Sequence, residues 1–414
     1  AGVLEEASWP DALAVAAAGL KAAKSAVLVG GRATYEDAYG YSKFARIALG
    51  TNDIDFRSRL ASDEEREFLA ARVVGSTTTY RDIDKADQVL LVGFEPEEES
   101  PIVFLRLNKQ FKKRALKVIS IGSKESIGVE KLKAEFVKVA PGQEAAAIAA
   151  QSLTNNSVIL VGERAAESAG ALSAVAALAD ATGAKLAWIP RRAGERGALA
   201  AGAIATLLPG GRPVSEASAR VDVAAAWSVD SLPTNPGRST SEILHGLIVN
   251  NLDAVVIGGV DPLDIASDAL SQLLNSFVVS LEITHSAVTA VADVVLPVAA
   301  VVEKSGSFQD WQGSTRTFEK AITDSLSRSD VRILSMIADE MGSPINLPTV
   351  AATAREIAAL GNWDGPAATF NKTSEAKPVL TEGKLNLSSW RLLLDLGTLQ
   401  DGEANLAGTA RKAT

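Results

Sequence analysis

The stretch VADVVLPVAAVVEKSGSFQDWQGSTRTF, residues 291–318, has the residue order that decides the fold. The apolar run from Val294 to Leu296 predicts a buried strand. Pro297 ends this strand, because proline has no N–H to donate to a sheet ladder. A second apolar run leads from there to the acidic residue Glu303.

A polar loop with two glycines follows the second apolar run. Lys304-Ser305-Gly306-Ser307 has the composition of a turn, in which Gly306 is expected at a positive φ. The segment 308–318 is polar and aromatic, and Gly313 within it is also free to take a positive φ. The whole stretch therefore predicts a strand that delivers its carboxyl end into an ordered polar loop.

The same pattern, an apolar run closed by glycine, recurs along the chain. The runs are 25–29 before Gly30 and Gly31, 89–92 before Gly93, 118–121 before Gly122, 158–161 before Gly162, and 255–257 before Gly258 and Gly259. Continuous β-branched runs are typical of strands covered on both faces, and helical patterns such as 9–24 lie between most of them. Parallel sheets built from crossover units follow, with glycine at the carboxyl edge where open α/β sheets form their crevice.

Composition bounds the class of protein. A chain of 414 residues is long enough for two or three domains. A net charge of -9 argues against nucleic-acid binding, because phosphate contacts need clustered Lys and Arg, and the one basic run, 109–117, is short. The absence of cysteine from the sequence excludes disulfides and cysteine-ligated iron–sulfur clusters.

No window reaches the roughly 18 apolar residues of a membrane span. The start of the sequence, Ala1-Gly2-Val3-Leu4, indicates a fragment of a longer protein.

No catalytic pattern stands out. The sequence has two histidines, His245 and His285, at no metal-ligand spacing, and we interpret both as structural or surface residues. Neither G-x-S-x-G nor a Walker A pattern occurs, and the glycine pairs after the strands lack the second half of G-x-G-x-x-G. On these residues alone, an α/β protein of another kind remains an alternative.

Spaced motifs make the chain resemble the molybdopterin oxidoreductase family. The signature A-D-V-V-L-P, an acidic residue, then a glycine turn matches residues 292–297, Glu303, Gly306 and Gly313. The motifs G-x-R-x-T-x-E, K-F-A-R and G-T-N-N-x-D correspond to 30–36, 43–46 and 50–55, with Asp53 at the fourth position of the last one. Residues 82–101 and 227–263 match further family segments. The resemblance extends from about residue 25 to about residue 345.

Within the family, Asp310-Trp311-Gln312-Gly313 is most similar to the branch found in the peripheral arm of NADH-quinone oxidoreductase, respiratory complex I. The departures are Gln312 and Ser314, where the family usually has Glu and Arg. If those two residues form an ion pair in the family, both partners of the pair are missing here.

The resemblance implies an α/β fold with two Rossmann-like doubly wound domains, one inserted in the other. Residues 1–62 and 231–365 are expected to form a discontinuous α/β domain, with 63–230 as the inserted domain. Residues 366–414 are expected to form an extended C-terminal tail that docks on a partner domain.

The resemblance also bears on cofactors. In the wider family, loops of this kind hold a bis-pterin guanine dinucleotide, and its metal is bound by a residue near 60–70. That segment has no cysteine here. Asp63 or Glu64 could be the metal ligand, but an acidic run of this kind is more typical of a solvated helix N-terminus. The complex I branch keeps the fold without the cofactor, so we expect no catalytic residue, no metal and no bound cofactor. The relic crevice loops would contain Gly30, Gly31, Gly93, Gly258, Gly259, Asp261, Glu303, Gly306 and Gly313.

Two functions remain open. The first is a cofactor-free scaffold in the peripheral arm of complex I, not catalytic alone, which supports electron transfer from NADH to quinone. Its partners would be the other subunits and iron–sulfur domains that precede this chain in the same polypeptide, at the cytoplasmic face of a bacterial membrane. The second is the core of a molybdopterin-dependent oxidoreductase of the formate dehydrogenase type.

Overall fold

Residues 25–29 show why this chain forms parallel sheets. All five side chains of SAVLV are buried, and the next residue is glycine. A strand covered on both faces needs neighbouring strands and helices on each side, which the crossover segments supply. The computed structural model describes residues 3–59, 61–249, 251–371, 373, 387–388 and 403–407.

The strands and helices alternate along most of the chain. The strands are β1 (Ser25–Val29), β2 (Ile54–Asp55), β3 (Gln88–Val92), β4 (Lys117–Gly122), β5 (Glu135–Lys138), β6 (Val158–Gly162), β7 (Lys185–Ile189), β8 (Leu207–Leu208), β9 (Arg212–Pro213), β10 (Ala254–Gly258), β11 (Phe277–Glu282), β12 (Val294–Pro297), β13 (Gly306–Gln309) and β14 (Thr315–Phe318). The helices are α1 (Trp9–Leu20), α2 (Tyr35–Ile47), α3 (Asp63–Phe68), α4 (Tyr80–Lys85), α5 (Pro96–Glu99), α6 (Pro101–Arg114), α7 (Ile127–Lys131), α8 (Glu144–Ala149), α9 (Ala171–Thr182), α10 (Glu195–Ala200), α11 (Ala217–Trp227), α12 (Thr240–Ile248), α13 (Ala269–Leu273), α14 (Asp330–Met341), α15 (Val350–Leu360) and α16 (Ala404–Ala407).

The chain divides into two compact units, and unit 1 consists of Ala1–Gly75 and Arg192–Phe370. Its five-stranded sheet has the order β12-β11-β10-β1-β2, and every neighbouring pair is parallel. The register aligns Val27 with Val256, and Val256 with Val279. An apolar core that includes Val255, Ile257 and side chains of α12 and α13 covers one part of this sheet.

Unit 2 consists of Ser76–Arg191 and Asn371–Thr414. Its sheet has the order β5-β4-β3-β6-β7 and is also parallel throughout. The central strands β3 and β6 are almost entirely buried, as their uninterrupted apolar sequences require.

Both sheets reverse their strand order at a pair of glycine-terminated strands. In unit 1 this point lies between β1 and β10, and in unit 2 it lies between β3 and β6. At each point the backbones approach closely: a Cβ built on Gly30 would lie 2.3 Å from the Gly259 carbonyl oxygen, and one built on Gly162 would lie 2.3 Å from the Gly93 carbonyl oxygen. Glycine is required at these two places because a side chain would meet backbone atoms.

The mixed α/β class with parallel sheets is confirmed, as are the five strands predicted from glycine-terminated runs and the helix predicted in 9–24. The strand of the signature stretch is β12, which ends at Pro297 as expected. The basic run 109–117 covers the exposed end of α6 and the start of β4, and Ala115 between them has a left-handed φ of 51°.

The compact units have boundaries at 75/76, 191/192 and 370/371. Residues 63–75 and 192–230 therefore belong to the unit that contains β1, although the sequence-based layout assigned them to an inserted domain, 63–230. Units defined by contacts and domains defined by a fold family can differ, so the layout of 1–62 plus 231–365, 63–230 and 366–414 stays a prediction.

Most of the tail after residue 373 lies outside the described residues. In the part of the chain that the structure describes, no helix is long and apolar enough to span a bilayer.

Candidate functional site

The candidate site lies at the carboxyl edge of the unit 1 sheet, where the turns after β1 and β10 meet. The Gly30 N–H donates to the Gly258 carbonyl oxygen at 2.7 Å. A Cβ on Gly258 would lie 1.9 Å from the Tyr41 hydroxyl oxygen, so α2 packs directly against this turn. Gly259 has a φ of 63°, which lets the chain leave the strand sharply. The two turns form a tightly closed backbone junction.

Asp261 begins the next turn of the chain. Its Oδ1 accepts a hydrogen bond from the Leu263 N–H at 3.0 Å and so starts the short 3₁₀ turn Pro262–Asp264. This is the usual capping role of an aspartate before proline.

A second segment of unit 1 covers the turn after β1. The Gly194 N–H donates to the Gly31 carbonyl oxygen at 2.9 Å, and a Cβ on Gly194 would lie 2.2 Å from the Ala33 carbonyl oxygen. A Cβ on Gly31 would lie 2.5 Å from Cδ of Arg192. Protein atoms therefore occupy the positions beside this glycine turn.

Three buried side chains, Asp37, Tyr41 and Asp330, and the largely buried Lys304 connect α2, α14 and the signature loop. Lys304 Nζ lies 2.6 Å from Asp37 Oδ2 and 3.0 Å from Asp330 Oδ1. The Tyr41 hydroxyl donates to Asp330 Oδ2 at 2.9 Å. Burial would lower the pKa of Lys304, but the carboxylates of Asp37 and Asp330 outweigh it and raise the pKa. Lys304 therefore stays charged and links two buried carboxylates.

Glu282 ends β11 at the same edge. Burial raises the pKa of its carboxyl to about 7, and the negative charges of Asp330 and Asp261 contribute to the increase. Burial, followed by the charge of Asp37, also raises the pKa of Asp330. Glu282 and Asp330 are thus two acid groups at this edge whose pKa is raised.

The signature stretch sets the register of β12 through Asp293. Its Oδ2 accepts from the Val278 N–H at 2.8 Å, and its own N–H donates to the Val278 carbonyl oxygen at 2.9 Å. Glu303 faces its own loop, where one carboxylate oxygen accepts from the Ala300 N–H at 2.9 Å and the other from the Ser325 hydroxyl at 2.8 Å. The Ala300 N–H is the first cause of the lowered pKa of Glu303.

The expectation of a positive φ at Gly306 is wrong. Gly306 begins strand β13 and is absent from the glycines with positive φ. Its role is steric, because a Cβ there would lie 3.1 Å from Thr34 Cγ2 and 3.2 Å from Phe318 Cζ. The neighbouring Ser307 donates from its N–H and its hydroxyl to the Glu36 carboxylate, at 2.8 and 2.7 Å. The residues 304–307 therefore enter a strand that packs on the start of α2.

The expectation of a positive φ at Gly313 is confirmed, with a value of 83°. Asp310 Oδ1 accepts from the N–H groups of Gln312 and Ser314, at 3.1 and 2.9 Å. The Gln312 side-chain amide donates to Asp310 Oδ2 at 3.1 Å. The turn that lacks the family's Glu and Arg is thus closed by hydrogen bonds around Asp310.

The other family motifs are engaged in internal contacts of unit 1. Arg46 is buried and donates to the carbonyl oxygens of Ile204 and Leu207, at 3.1 and 2.8 Å. The Asn52 amide donates to the carbonyl oxygens of Pro233 and Asn235, at 3.0 and 2.8 Å. These two motif residues hold the first segment of the unit against the returning chain.

The buried pair Asp55 and Arg57 has the same function. The two side chains lie 2.8 Å apart, and Asp55 Oδ2 also accepts from the Thr240 N–H at 2.9 Å. Burial alone would raise the pKa of Asp55, but Arg57 lowers it more. The carboxylate therefore stays ionised and ties Thr240 to the end of β2.

The family's pterin dinucleotide and its metal do not fit the residues of this edge. The segment near 60–70 has no cysteine, Asp63 is exposed and pairs with Arg66, and Glu65 pairs with Arg57 at 3.3 Å. Within the described residues, no group of three or more His, Asp or Glu side chains is placed to hold a metal ion. Residues 192–194 cover the turn after β1.

The nine glycine and acidic residues expected to line a crevice do not form one cluster. Gly30, Gly31, Gly258, Gly259 and Asp261 come together at the edge of unit 1. Glu303 ends the short 3₁₀ turn after β12, Gly306 begins β13, Gly313 lies in the turn between β13 and β14, and Gly93 lies in unit 2. His245 and His285 are both exposed.

Sequence reasoning missed the acid–lysine network. Asp37 and Lys304 are 267 positions apart, and no local pattern connects them. One signal was available: Glu36, Asp37 and Lys43 follow the predicted strand 25–29, and Glu36 and Lys43 lie within family motifs. The structure buries all residues of α2 from 35 to 46.

Comparison with known proteins gives one family. The family model "Molybdopterin oxidoreductase" matches residues 1–340. The chain is 51% identical over 429 residues to the G subunit of NADH-quinone oxidoreductase from Mycobacterium tuberculosis, covering 99% of this chain and 53% of that protein. It is 26% identical to formate dehydrogenase H of Escherichia coli, covering 83% of this chain and 59% of that protein. The chain thus spans about half the length of the curated relatives it matches.

The fold has solved counterparts. Acetylene hydratase from Pelobacter acetylenicus superposes with a TM-score of 0.51 at 12% identity, covering 84% of this chain and 62% of that one. Such a match at low identity concerns the fold alone. Because the family model covers residues 1–340, the chain belongs to the molybdopterin oxidoreductase family.

Proposed function

We propose that this chain is a cofactor-free scaffold domain of the peripheral arm of NADH-quinone oxidoreductase, respiratory complex I. The observation that carries this proposal is the 51% identity to the mycobacterial G subunit over 99% of the chain. Identity at this level extends along both units, so it is not confined to a shared motif. The chain would support electron transfer from NADH to quinone by position and would not be catalytic alone.

The contacts of the family motifs support the scaffold role. Arg46, Asn52, Asp55 and Arg57 contact other parts of unit 1, and Lys304 links two buried carboxylates. Side chains committed to such contacts cannot also contact a ligand without leaving buried polar groups unpaired, which is costly. We propose that this sheet edge stabilises the unit rather than binding a cofactor.

The partners follow from the same proposal. They would be other subunits of the complex and iron–sulfur domains of the same polypeptide, located at the cytoplasmic face of the membrane.

We further propose that each five-stranded parallel sheet is the centre of a Rossmann-like doubly wound domain. The strand order reverses at β1/β10 in one sheet and at β3/β6 in the other. One of these domains would be inserted in the other, since unit 1 is formed by two separate segments.

A molybdopterin enzyme of the formate dehydrogenase type is the weaker candidate. It is supported by 26% identity, about half of the value for the complex I relative. It would also need a metal ligand near 60–70, where Asp63 pairs with Arg66 and Glu64 is buried in α3.

The test uses two variants of the full-length protein in its own host. Arg57→Met removes the buried partner of Asp55, whereas Arg316→Met changes an exposed position of β14. We expect Arg57→Met to reduce the amount of assembled complex in membranes several-fold and Arg316→Met to leave it unchanged. NADH:quinone turnover per assembled complex should stay the same in both. Turnover per complex that falls while the amount of complex is unchanged would contradict a scaffold role, and formate oxidation by the purified protein would favour the second candidate.

A further inference from the structure

Helix α6 of unit 2 has one buried side and one side that faces solvent. Its buried side chains are Val103, Phe104, Leu107 and Gln110. The opposite side carries exposed side chains three or four positions apart, a spacing that places them in one line along a helix. This line, the α6 stripe, consists of Ile102, Leu105, Lys109, Lys112 and Lys113.

The three lysines of the α6 stripe have no acidic partner among the residues that the structure describes. The helix itself, PIVFLRLNKQFKKR, contains no Asp or Glu. Carboxylates of neighbouring elements pair with other cations, Asp84 with Arg106 and Glu135 with Lys117. Lysines three and four positions apart on a helix repel each other. The stripe therefore concentrates positive charge on a chain whose net charge is -9.

The helix dipole explains only part of this composition. Cations at the end of a helix are favourable because unpaired carbonyl groups leave a partial negative charge there. The dipole does not account for Ile102 and Leu105 in the first half of the helix, which are 55% and 57% exposed. The stripe also borders a depression of about 460 Å³, whose lining is Leu105, Asn108, Lys109, Lys112 and Lys113. Exposed aliphatic side chains beside a concave, charged surface are typical of a contact with another molecule.

The charges and the small apolar area favour a protein as the occupant. Unpaired lysines are complementary to carboxylates, and a contact of like charges would be repulsive. A helix that binds a membrane surface buries a complete apolar face in the lipid. In α6 that face is already buried within unit 2, and the stripe adds only two aliphatic side chains, Ile102 and Leu105.

The charge also favours a separate subunit over another domain of the same polypeptide. Electrostatic complementarity chiefly accelerates the encounter of separate molecules and selects the correct one. A domain joined by a short linker needs no such attraction, because its effective concentration is already on the order of millimolar.

We propose that the α6 stripe binds an acidic surface of another subunit of the complex. Apolar side chains of that subunit cover Ile102 and Leu105, and its carboxylates lie beside the three lysines. The inference rests on the proposed function, because it takes the chain to be part of the respiratory complex, and it adds the surface and the chemistry of the partner.

Zero-length cross-linking of the purified complex tests the contact without any substitution. A water-soluble carbodiimide joins a lysine amine to a carboxyl group in contact with it, and mass spectrometry of the digest identifies both residues. We expect links from Lys109, Lys112 or Lys113 to an Asp or Glu of another subunit, at least fivefold more abundant than such links from Lys138. Lys138 is an exposed lysine at the end of β5 and serves as the control.

The cross-linking result separates this inference from the proposed function. A complex that contains the protein, but in which the three lysines are linked only within their own polypeptide or not at all, would overturn the α6 contact alone. A protein that purifies without any other subunit would contradict the proposed function and this inference together.

Charge reversal in the full-length protein, expressed in its own host, provides a second measurement. Lys112→Glu with Lys113→Glu is compared with Lys133→Glu and Lys138→Glu, which change the net charge equally at two other exposed lysines of unit 2. Among the soluble, folded chains, we expect the first pair to lower the fraction that stays with the complex at least fivefold and the second pair to leave it unchanged. Lys112→Arg with Lys113→Arg keeps the charge and should retain the wild-type fraction.

Two outcomes of these variants would overturn the proposal. One is equal retention of the two charge-reversed proteins in the complex. The other is sedimentation with vesicles of phosphatidylcholine and phosphatidylglycerol that is lost in Lys112→Glu with Lys113→Glu and kept in the control pair, because the stripe would then bind a membrane surface.

Discussion

Gly306 shows how a single residue can be identified for the wrong reason. The turn composition predicted a positive φ, but the residue is extended in β13, and it is the nearby Thr34 and Phe318 side chains that exclude a Cβ. Gly306→Val should therefore destabilise the protein by about 1–3 kcal/mol through overpacking. Gly75→Val is the matched control, because a Cβ there meets no atom within 4 Å. Urea unfolding of both variants is the measurement, and equal midpoints would show that β13 does not pack closely on α2.

Glu282 makes a prediction about pH. Its pKa of about 7 in the folded protein is above the ordinary 4.5, so the folded state holds this proton more tightly than the unfolded state. Stability must then fall as the pH rises from about 4.5 to about 7, and level off above that. Glu282→Gln removes this loss and should stabilise the protein at pH 8 by about 1 kcal/mol after allowance for partial exposure, with little effect at pH 4.5. A gain that is the same at both pH values would mean that Glu282 is not the titrating group.

At the scale of elements, Lys304 joins α2 to α14. It lies between Asp37 and Asp330, and Asp37 also accepts the Val331 N–H at 3.0 Å, at the start of α14. Lys304→Met leaves two buried carboxylates without their cation and should cost about 3–5 kcal/mol. Lys320→Met changes an exposed lysine that donates to the Thr323 carbonyl oxygen and should cost at most about 0.5 kcal/mol.

The reversal of this effect provides a sharper test. Adding Asp330→Asn to Lys304→Met removes one of the uncompensated charges, so part of the lost stability should return. Chemical denaturation of the single and double variants measures the recovery. A double variant that is less stable than Lys304→Met would show that repulsion between the carboxylates is not the cause.

The strands could be predicted where the sequence itself marks both of their ends. The runs that close with Gly30, Gly93, Gly162 and Gly258 became β1, β3, β6 and β10, because β-branched residues suit buried parallel strands and glycine suits their exits. The strands β7 and β11 were not predicted, since Pro190 and Ile283 follow them instead of glycine. The ion pairs around Lys304 could not be predicted, because they join residues far apart in the chain.

At the scale of the whole molecule, we propose that this fold contributes contacts and no redox chemistry. The sequence has no cysteine for an iron–sulfur cluster, and the turn after β1 is covered by the chain's own residues. Residues 1–414 alone should therefore not oxidise NADH with ferricyanide as acceptor. The loss of NADH absorbance in the near ultraviolet is the readout. Turnover that persists through further purification would show that a nucleotide site had been overlooked.

The most direct test of the scaffold role is the molybdenum and tungsten content of the full-length protein, purified with its partners from its own host and measured by elemental mass spectrometry. We expect well below about 0.1 atom of either metal per chain, in a preparation that oxidises NADH with quinone as acceptor. About one atom of molybdenum or tungsten per chain would contradict the proposal, because the chain would then hold the metal cofactor that a cofactor-free scaffold lacks.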